Sequence, residues 1–308
     1  MKLVDRNKNL KNNFKLKFNI MKRKNLLTVL SIVFAAMITM VACEKDKSIQ
    51  TLDVITAEDD AIADAAYDDV FSEVDAVMNT MDLLGYAMPA EKSGLEIFET
   101  CKIITVEKPD SAFWPRTITI DYGEGCTTGK RTRKGKIIIN VSKPMWQEGS
   151  QRVVTFDGFY VNEHLVEGTR TVTNEGRHLD GDYMGKIYVS IILENGKVTT
   201  DEGQEITKQF NRTRTFVEGE ETKWDTRDDI WYIEGIATGV NRNGVAFTRE
   251  ITSPLWKERG CRFITQGTVL ISADGRPDAI LDYGAGDCDP IATVTVGEET
   301  REINLRKW

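Results

Sequence analysis

Residues 121–136 read DYGEGCTTGKRTRKGK, with four glycines and five basic side chains in sixteen positions. That composition suits a loop whose backbone N–H groups wrap a phosphate. A P-loop, however, needs glycine, four residues, then Gly-Lys-Ser/Thr, and it must open a helix. Counting back from Gly129-Lys130 puts Glu124 where the first glycine belongs, and Arg131 stands in place of the hydroxyl residue. Gly135-Lys136-Ile137-Ile138-Ile139-Asn140-Val141 then reads as a strand. The stretch is therefore expected to be a β-turn, Asp121 to Cys126, followed by a solvated basic run.

Other chemistry is equally thin. Only two histidines occur, His164 and His178, without C-x-x-C or H-E-x-x-H spacing, so no zinc cage is expected. Asp282, Asp287 and Asp289, or Asp121 with Glu124, could offer oxygen to calcium, but the EF-hand order of acids is missing. His164 beside a turn reads as an exposed loop residue rather than a base. There is no G-x-S-x-G elbow, and a carboxylate pair can be found anywhere among so many acids. No catalytic residue, metal ligand or cofactor is assigned. Trp114, Trp146, Trp224, Trp231 and Trp256 could form a sugar-stacking platform, although such residues are more often packing. Asp110-Ser111-Ala112 matches a short O-glycosylation acceptor.

The elements that carry these residues follow from charge and periodicity. The 308 residues hold 40 Lys and Arg against 48 Asp and Glu, but nine of the former and one acid lie before Cys43; the rest of the chain has 31 basic and 47 acidic residues, near −16. A surface of that sign repels nucleic acid. Met21-Lys22-Arg23-Lys24 is a positive n-region, and Leu26 to Ala42 is an uncharged apolar run, shorter than a full membrane span. Its end, Met40-Val41-Ala42-Cys43, resembles a bacterial lipobox. That resemblance implies cleavage before Cys43 and lipid attachment to it, hence a protein anchored to the outer membrane, facing the periplasm or the cell surface. The expected divisions are an over-extended start at 1–20, a lipoprotein signal at 21–42, a flexible lipidated tether at 43–55 and an amphipathic helix at 56–85. An antiparallel β domain follows at 101–308.

The helix expectation rests on Thr56 as N-cap, Glu58, Asp59 and Asp60 in the first turn, and an apolar stripe of Ile62, Ala66, Val70, Val74, Val77, Met81 and Leu84. Asp64, Asp68, Glu73, Asp75 and Asp82 fall largely off that stripe. From Cys101 onward, alternation with β-branched residues takes over, and Asn195-Gly196, Asn243-Gly244 and Asp274-Gly275 read as hairpin turns. The fold class expected is mainly β: an antiparallel meander of about 12–14 strands, as a curved sheet, a sandwich or a partly closed barrel. Gly168-Thr-Arg-Thr-Val-Thr-Asn174 and Asn211-Arg-Thr-Arg-Thr-Phe216 are too polar to be buried on both faces, so one face should be wet.

Apart from Cys43 there are four cysteines, which allow three pairings. An internal repeat chooses among them. Cys101-Lys-Ile-Ile-Thr105 matches Cys261-Arg-Phe-Ile-Thr265, and Asp121-Tyr-Gly-Glu-Gly-Cys126 matches Asp282-Tyr-Gly-Ala-Gly-Asp-Cys288. Related modules near 101–143 and 261–305 are expected, with Cys101 bonded to Cys126 and Cys261 to Cys288. A third echo, Pro144-Met-Trp-Gln-Glu148 against Pro254-Leu-Trp-Lys-Glu258, suggests a repeated corner.

The lipobox, the acidic helix, Thr117-Ile-Thr-Ile-Asp-Tyr-Gly-Glu-Gly-Cys126 and Arg131-Thr-Arg-Lys-Gly-Lys-Ile-Ile138 together resemble β-rich surface or periplasmic lipoproteins of the Bacteroidota type. The resemblance implies localisation and a β-rich fold and carries no activity. The expectation is a non-enzymatic envelope protein, binding or structural, with a membrane, glycan, lipid or protein partner and no nucleic acid. Two alternatives stand beside it: a carrier holding an amphiphile between sheet and helix, and a glycan hydrolase.

Overall fold

The structure is a computed structural model describing residues 45–83, 94–99, 101–109, 112–222 and 226–305. The signal at 21–42, Cys43, Leu84, Asp110, Ser111 and Trp224 lie outside the described residues. The chain divides into two units, Met1–Leu52 and Asp53–Trp308, and the sheet lies within the second.

Among the described residues one α-helix, α1 (Lys45–Leu83), precedes fifteen strands. They are β1 (Gly94–Phe98), β2 (Ile103–Glu107), β3 (Arg116–Asp121), β4 (Cys126–Thr128), β5 (Arg131–Val141), β6 (Gln151–Val161), β7 (His164–Arg177) and β8 (Ile187–Thr199). Then follow β9 (Glu205–Glu218), β10 (Ile230–Val240), β11 (Ala246–Glu258), β12 (Gln266–Ala273), β13 (Ala279–Ala285), β14 (Ile291–Val296) and β15 (Glu299–Asn304). All belong to one antiparallel sheet in sequence order, with short β4 pairing β5 off the main path, and the sheet does not close into a barrel.

The helix differs from expectation at its start. It begins at Lys45, taking in residues read as tether, because nothing from 45 to 55 breaks a helix. Thr56 is thus inside α1 rather than its cap; its buried hydroxyl accepts a hydrogen bond from Asn241 Nδ2 at 2.8 Å. From Thr56 to Met81 a rise of ~1.5 Å per residue gives roughly 38 Å, enough to cross about eight strands ~4.8 Å apart.

Ile62, Ala66, Val70, Val74, Val77 and Met81 are buried as the periodicity predicts, against Ile104, Ile118, Ile120, Ile137, Ile139, Val154, Ile191, Leu193 and Phe210 of the sheet. A second cluster joins Ala57 to Ile233, Phe247, Leu255, Val269 and Leu281. Thr56, Ala57, Asp59, Asp60, Ala61, Ile62 and Ala63 are all buried. A flat sheet covers only one face of a helix, so burial on every side of two turns requires the sheet to curl around it.

Cys101 is bonded to Cys126 and Cys261 to Cys288, with Cα separations of 5.3 and 5.7 Å. Loops of 25 and 27 residues correspond to about 3.5 kcal/mol each on a chain-entropy basis. The repeated turn also has the same bonding in both copies: Asp121 Oδ1 accepts from Gly123 N and Asp282 Oδ1 from Gly284 N, each at 2.8 Å. These are Asx turns, and the glycines supply the positive φ that follows.

Two turn readings need correction. Asn195-Gly196 is a bulge inside β8, not a hairpin; the chain reverses at residues 200–204. A Cβ on Gly196 would be driven into the Lys208 carbonyl of β9 and would also meet the Tyr67 hydroxyl of α1 at 2.8 Å, so the bare backbone is needed by both neighbours. The Pro-Trp echo is not a repeated corner either. Pro144 and Trp146 lie in the loop after β5, whereas Pro254 and Trp256 are within β11 at an irregular register.

Candidate functional site

The chemistry of this fold lies between α1 and the inner face of the sheet. In β9 burial alternates from Ile206 to Arg214: Ile206, Lys208, Phe210, Arg212 and Arg214 point inward, while Gln209, Asn211 and Thr213 point out. The same holds in β7, where Arg170, Val172 and Asn174 are buried and the intervening threonines face solvent. The polar strands do have a wet face, but threonine occupies it and arginine faces the interior. The expectation of a solvated basic run at 131–136 holds for Lys134 and Lys136 but fails for the arginines for the same reason. Arg131 and Arg133 turn inward to Asp69, and Arg133 grips it with two hydrogen bonds of 2.8 and 2.7 Å.

Carboxylates of α1 flank its apolar stripe on both sides. At ~100° per residue, Asp60, Asp64, Asp68 and Asp75 share one flank and Asp69 and Glu73 the other. On the first flank, Lys208 Nζ lies 2.5 Å from Asp60 Oδ1 and 2.6 Å from Asp64 Oδ1. Arg212 meets Asp64 at 2.8 Å, Arg214 meets Asp68 at 3.3 Å and Arg152 meets Asp75 at 2.8 Å. Arg249 Nε sits 2.8 Å from Asp60 Oδ2 as an ion pair without hydrogen-bond alignment. On the second flank, Glu73 accepts from Lys102 Nζ at 3.0 Å and from Tyr122 Oη at 2.7 Å, and pairs with Arg133 at 3.1 Å. Asp59 takes the backbone N–H of Arg242 at 2.7 Å and its guanidinium. The tyrosines of the two repeated turns occupy related places: Tyr122 reaches Glu73, and Tyr283 lies against Arg249.

Lys208 and Asp60 are wholly buried. Burial alone would raise the Asp64 pKa, but the charges of Arg212, Lys208 and Arg249 outweigh it and hold this carboxyl well below its ordinary 3.8. Burial pulls Lys208 down; Asp60 and Asp64 pull it back up without offsetting that, and Arg212 and Arg249 contribute a smaller downward push. Glu73 is lowered too: burial opposes this, while the Tyr122 hydroxyl, Arg133 and Lys102 impose it. A carboxyl lowered by folding contributes stability above its unfolded pKa and loses it as pH falls further. Denaturant titrations should therefore show stability constant from pH 7 to about pH 5 and dropping steeply below about pH 4. A flat profile down to pH 2 would contradict the ion-paired carboxylates.

The remaining sequence candidates scatter. Trp231 lies on the inner face, stacked on Phe216 at 4.6 Å, and Trp256 lies on the outer face against Tyr232 at 4.3 Å. Trp146 is exposed in its loop and Trp114 packs beneath Arg116, so the tryptophans do not form one platform. His164 is the first residue of β7 and partly buried, not an exposed loop residue. Asp289 caps a turn, accepting from Ile291 N at 2.8 Å. Among the described residues no group of three or more His, Cys, Asp or Glu is placed to hold a metal ion, and no helix is long and apolar enough to cross a membrane.

What spacing alone missed is an aromatic row on the outer face. Tyr188, Thr215, Tyr232 and Trp256 are register neighbours across β8 to β11. His178 stacks on Tyr188 at 4.0 Å and shares a 2.9 Å hydrogen bond with Thr215 Oγ1, while Tyr183 meets Tyr232 edge-on at 5.3 Å. One step along the strands, Thr173, Ser190, Thr213 and Glu234 form a parallel polar row. The chain matches no family model, no curated protein and no solved structure.

Proposed function

We propose that this is a lipid-anchored, extracytoplasmic envelope protein that works by binding rather than by catalysis, with the outer aromatic row as its binding surface and a glycan as its ligand. The observation that carries this reading is the occupancy of the inner face. Where a curved sheet would hold an amphiphile or a substrate, α1 is packed and ion-paired, which favours surface binding over the carrier and hydrolase alternatives. The outer face offers rings that can stack on the apolar faces of sugars beside hydroxyls and a carboxylate that can pair with sugar hydroxyls. The lipobox-like Met40-Val41-Ala42-Cys43 supports the anchor. On a glycan array the full chain should retain a subset of oligosaccharides, and Tyr232→Ala and Trp256→Ala should each lose them without unfolding. Retention by neither wild type nor variants, or unchanged retention by both variants, would sink the reading. In cells, Cys43→Ala should abolish palmitate incorporation; persistent label would refute the anchor.

A further inference from the structure

Along the first flank of α1, the charges do not balance. Arg152, Arg170 and Arg214 converge on one phenyl ring, with their guanidinium carbons 5.6, 4.6 and 4.1 Å from the Phe71 centroid. All three side chains are more than nine-tenths buried, Arg170 to 3% exposure. Arg152 has Asp75 and Arg214 has Asp68, but among the described residues Arg170 has neither an ion pair nor a hydrogen bond. Its Nε is buried and unpartnered, and so are the Nε atoms of Arg152 and Arg214. Three cations thus face two carboxylates.

A buried guanidinium without a counter-charge is costly, and cation–π contact with one ring offsets only part of that cost. Like charges gathered around that ring deepen the deficit. Burial, with Arg214 and Arg152 adding to it, pushes the Arg170 pKa well below its usual value. Asp68 and Asp75, at 36% and 21% side-chain exposure, bring the cluster to the solvent-facing side of α1. Convergent, partly unpaired guanidiniums just beneath the surface are the arrangement that recognises a tetrahedral oxyanion.

We infer that Arg170, flanked by Arg152 and Arg214 over Phe71, forms an anion site that takes a phosphate group, either free in a small molecule or as a phospholipid headgroup. The anion supplies the missing counter-charge and accepts the unmatched N–H groups. This site is separate from the outer aromatic row, so it stands or falls independently of glycan binding.

The test is isothermal titration of the full chain in detergent at fixed ionic strength, with inorganic pyrophosphate in one arm and soluble short-chain phosphatidylglycerol in the other. Wild type should bind in at least one arm; pyrophosphate alone identifies a small-molecule phosphate, and a preference for the lipid identifies a headgroup. Arg170→Gln should weaken that binding by about tenfold or more. Arg177→Gln, at an exposed pair with Glu220, should leave it unchanged. Circular dichroism confirms folding of each variant, and if Arg170→Gln does not fold, Arg152→Gln serves with the same expected loss. Binding in neither arm, or equal binding by wild type and the folded variant, overturns the assignment.

Discussion

Asp60→Ala is expected to destabilise the protein by about 3–5 kcal/mol in a urea or guanidinium melt, whereas Lys208→Met should change stability by no more than about 1 kcal/mol. The two residues touch at 2.5 Å and both are wholly buried, so a simple pair would lose about equally from either side. The surroundings break that symmetry. Asp60 and Asp64 are the two carboxylates of this cluster, facing Lys208, Arg212 and Arg249. Removing Asp60 leaves three buried cations around one carboxylate. Removing Lys208 leaves Arg249 with Asp60 and Arg212 with Asp64, and methionine fills the stem's volume against the neighbouring apolar groups. For Lys208 burial outweighs the pull of Asp60 and Asp64, with Arg212 and Arg249 adding a smaller push, which marks it as the surplus cation. Equal losses for the two variants would mean that Lys208 holds the cluster together rather than over-filling it.

Gly135→Ala should cost upwards of about 3 kcal/mol, against about 1 kcal/mol for Gly129→Ala six residues away. Both glycines have positive φ, 80° and 63°. Gly129 sits at the β4–β5 turn with nothing within 4 Å of a new Cβ, so only backbone strain is added. At Gly135 the Cβ would be driven into the carbonyl of Gly158 and come within 2.9 Å of Asp157 O. That contact is between backbones at the bulge where β5 and β6 slip register, and neither side can rotate away. Gly135 also donates to Gly123 O at 3.0 Å and accepts from Tyr122 N at 2.9 Å, which fixes the repeated turn against β5. Equal melting of the two variants would show that the bulge can open without loss.

The same sixteen residues show what a sequence can and cannot reveal. The turn from Asp121 to Cys126, its cysteine partner and its second copy were legible because local bonding and repetition define them. So was the apolar stripe of α1, since helical periodicity marks one face as buried. The arginines of the basic run were misread, though Lys134 and Lys136 do face solvent. Period-two alternation says that Arg131 and Arg133 share a face but not which face is inside, and polarity normally marks the outside. The signal that could have decided it was joint: Arg-Thr alternation in several strands, together with Asp60, Asp64 and Asp68 at four-residue spacing on one helix. Asn195-Gly196 misled for a similar reason, because a dipeptide that tolerates positive φ serves a bulge beneath Tyr67 as well as a turn. The outer aromatic row was invisible to spacing, since its rings come from strands whose register only the fold sets.

Placing α1 as the ion-paired core of the sheet, rather than a lid over it, has one direct consequence. In hydrogen–deuterium exchange of the full chain, amides of residues 62–81 should exchange as slowly as those of β5 to β9 and open only with global unfolding. Rapid exchange of α1 while the strands stay protected would show a detachable helix and contradict the bracing by Asp60, Asp64, Asp69 and Glu73.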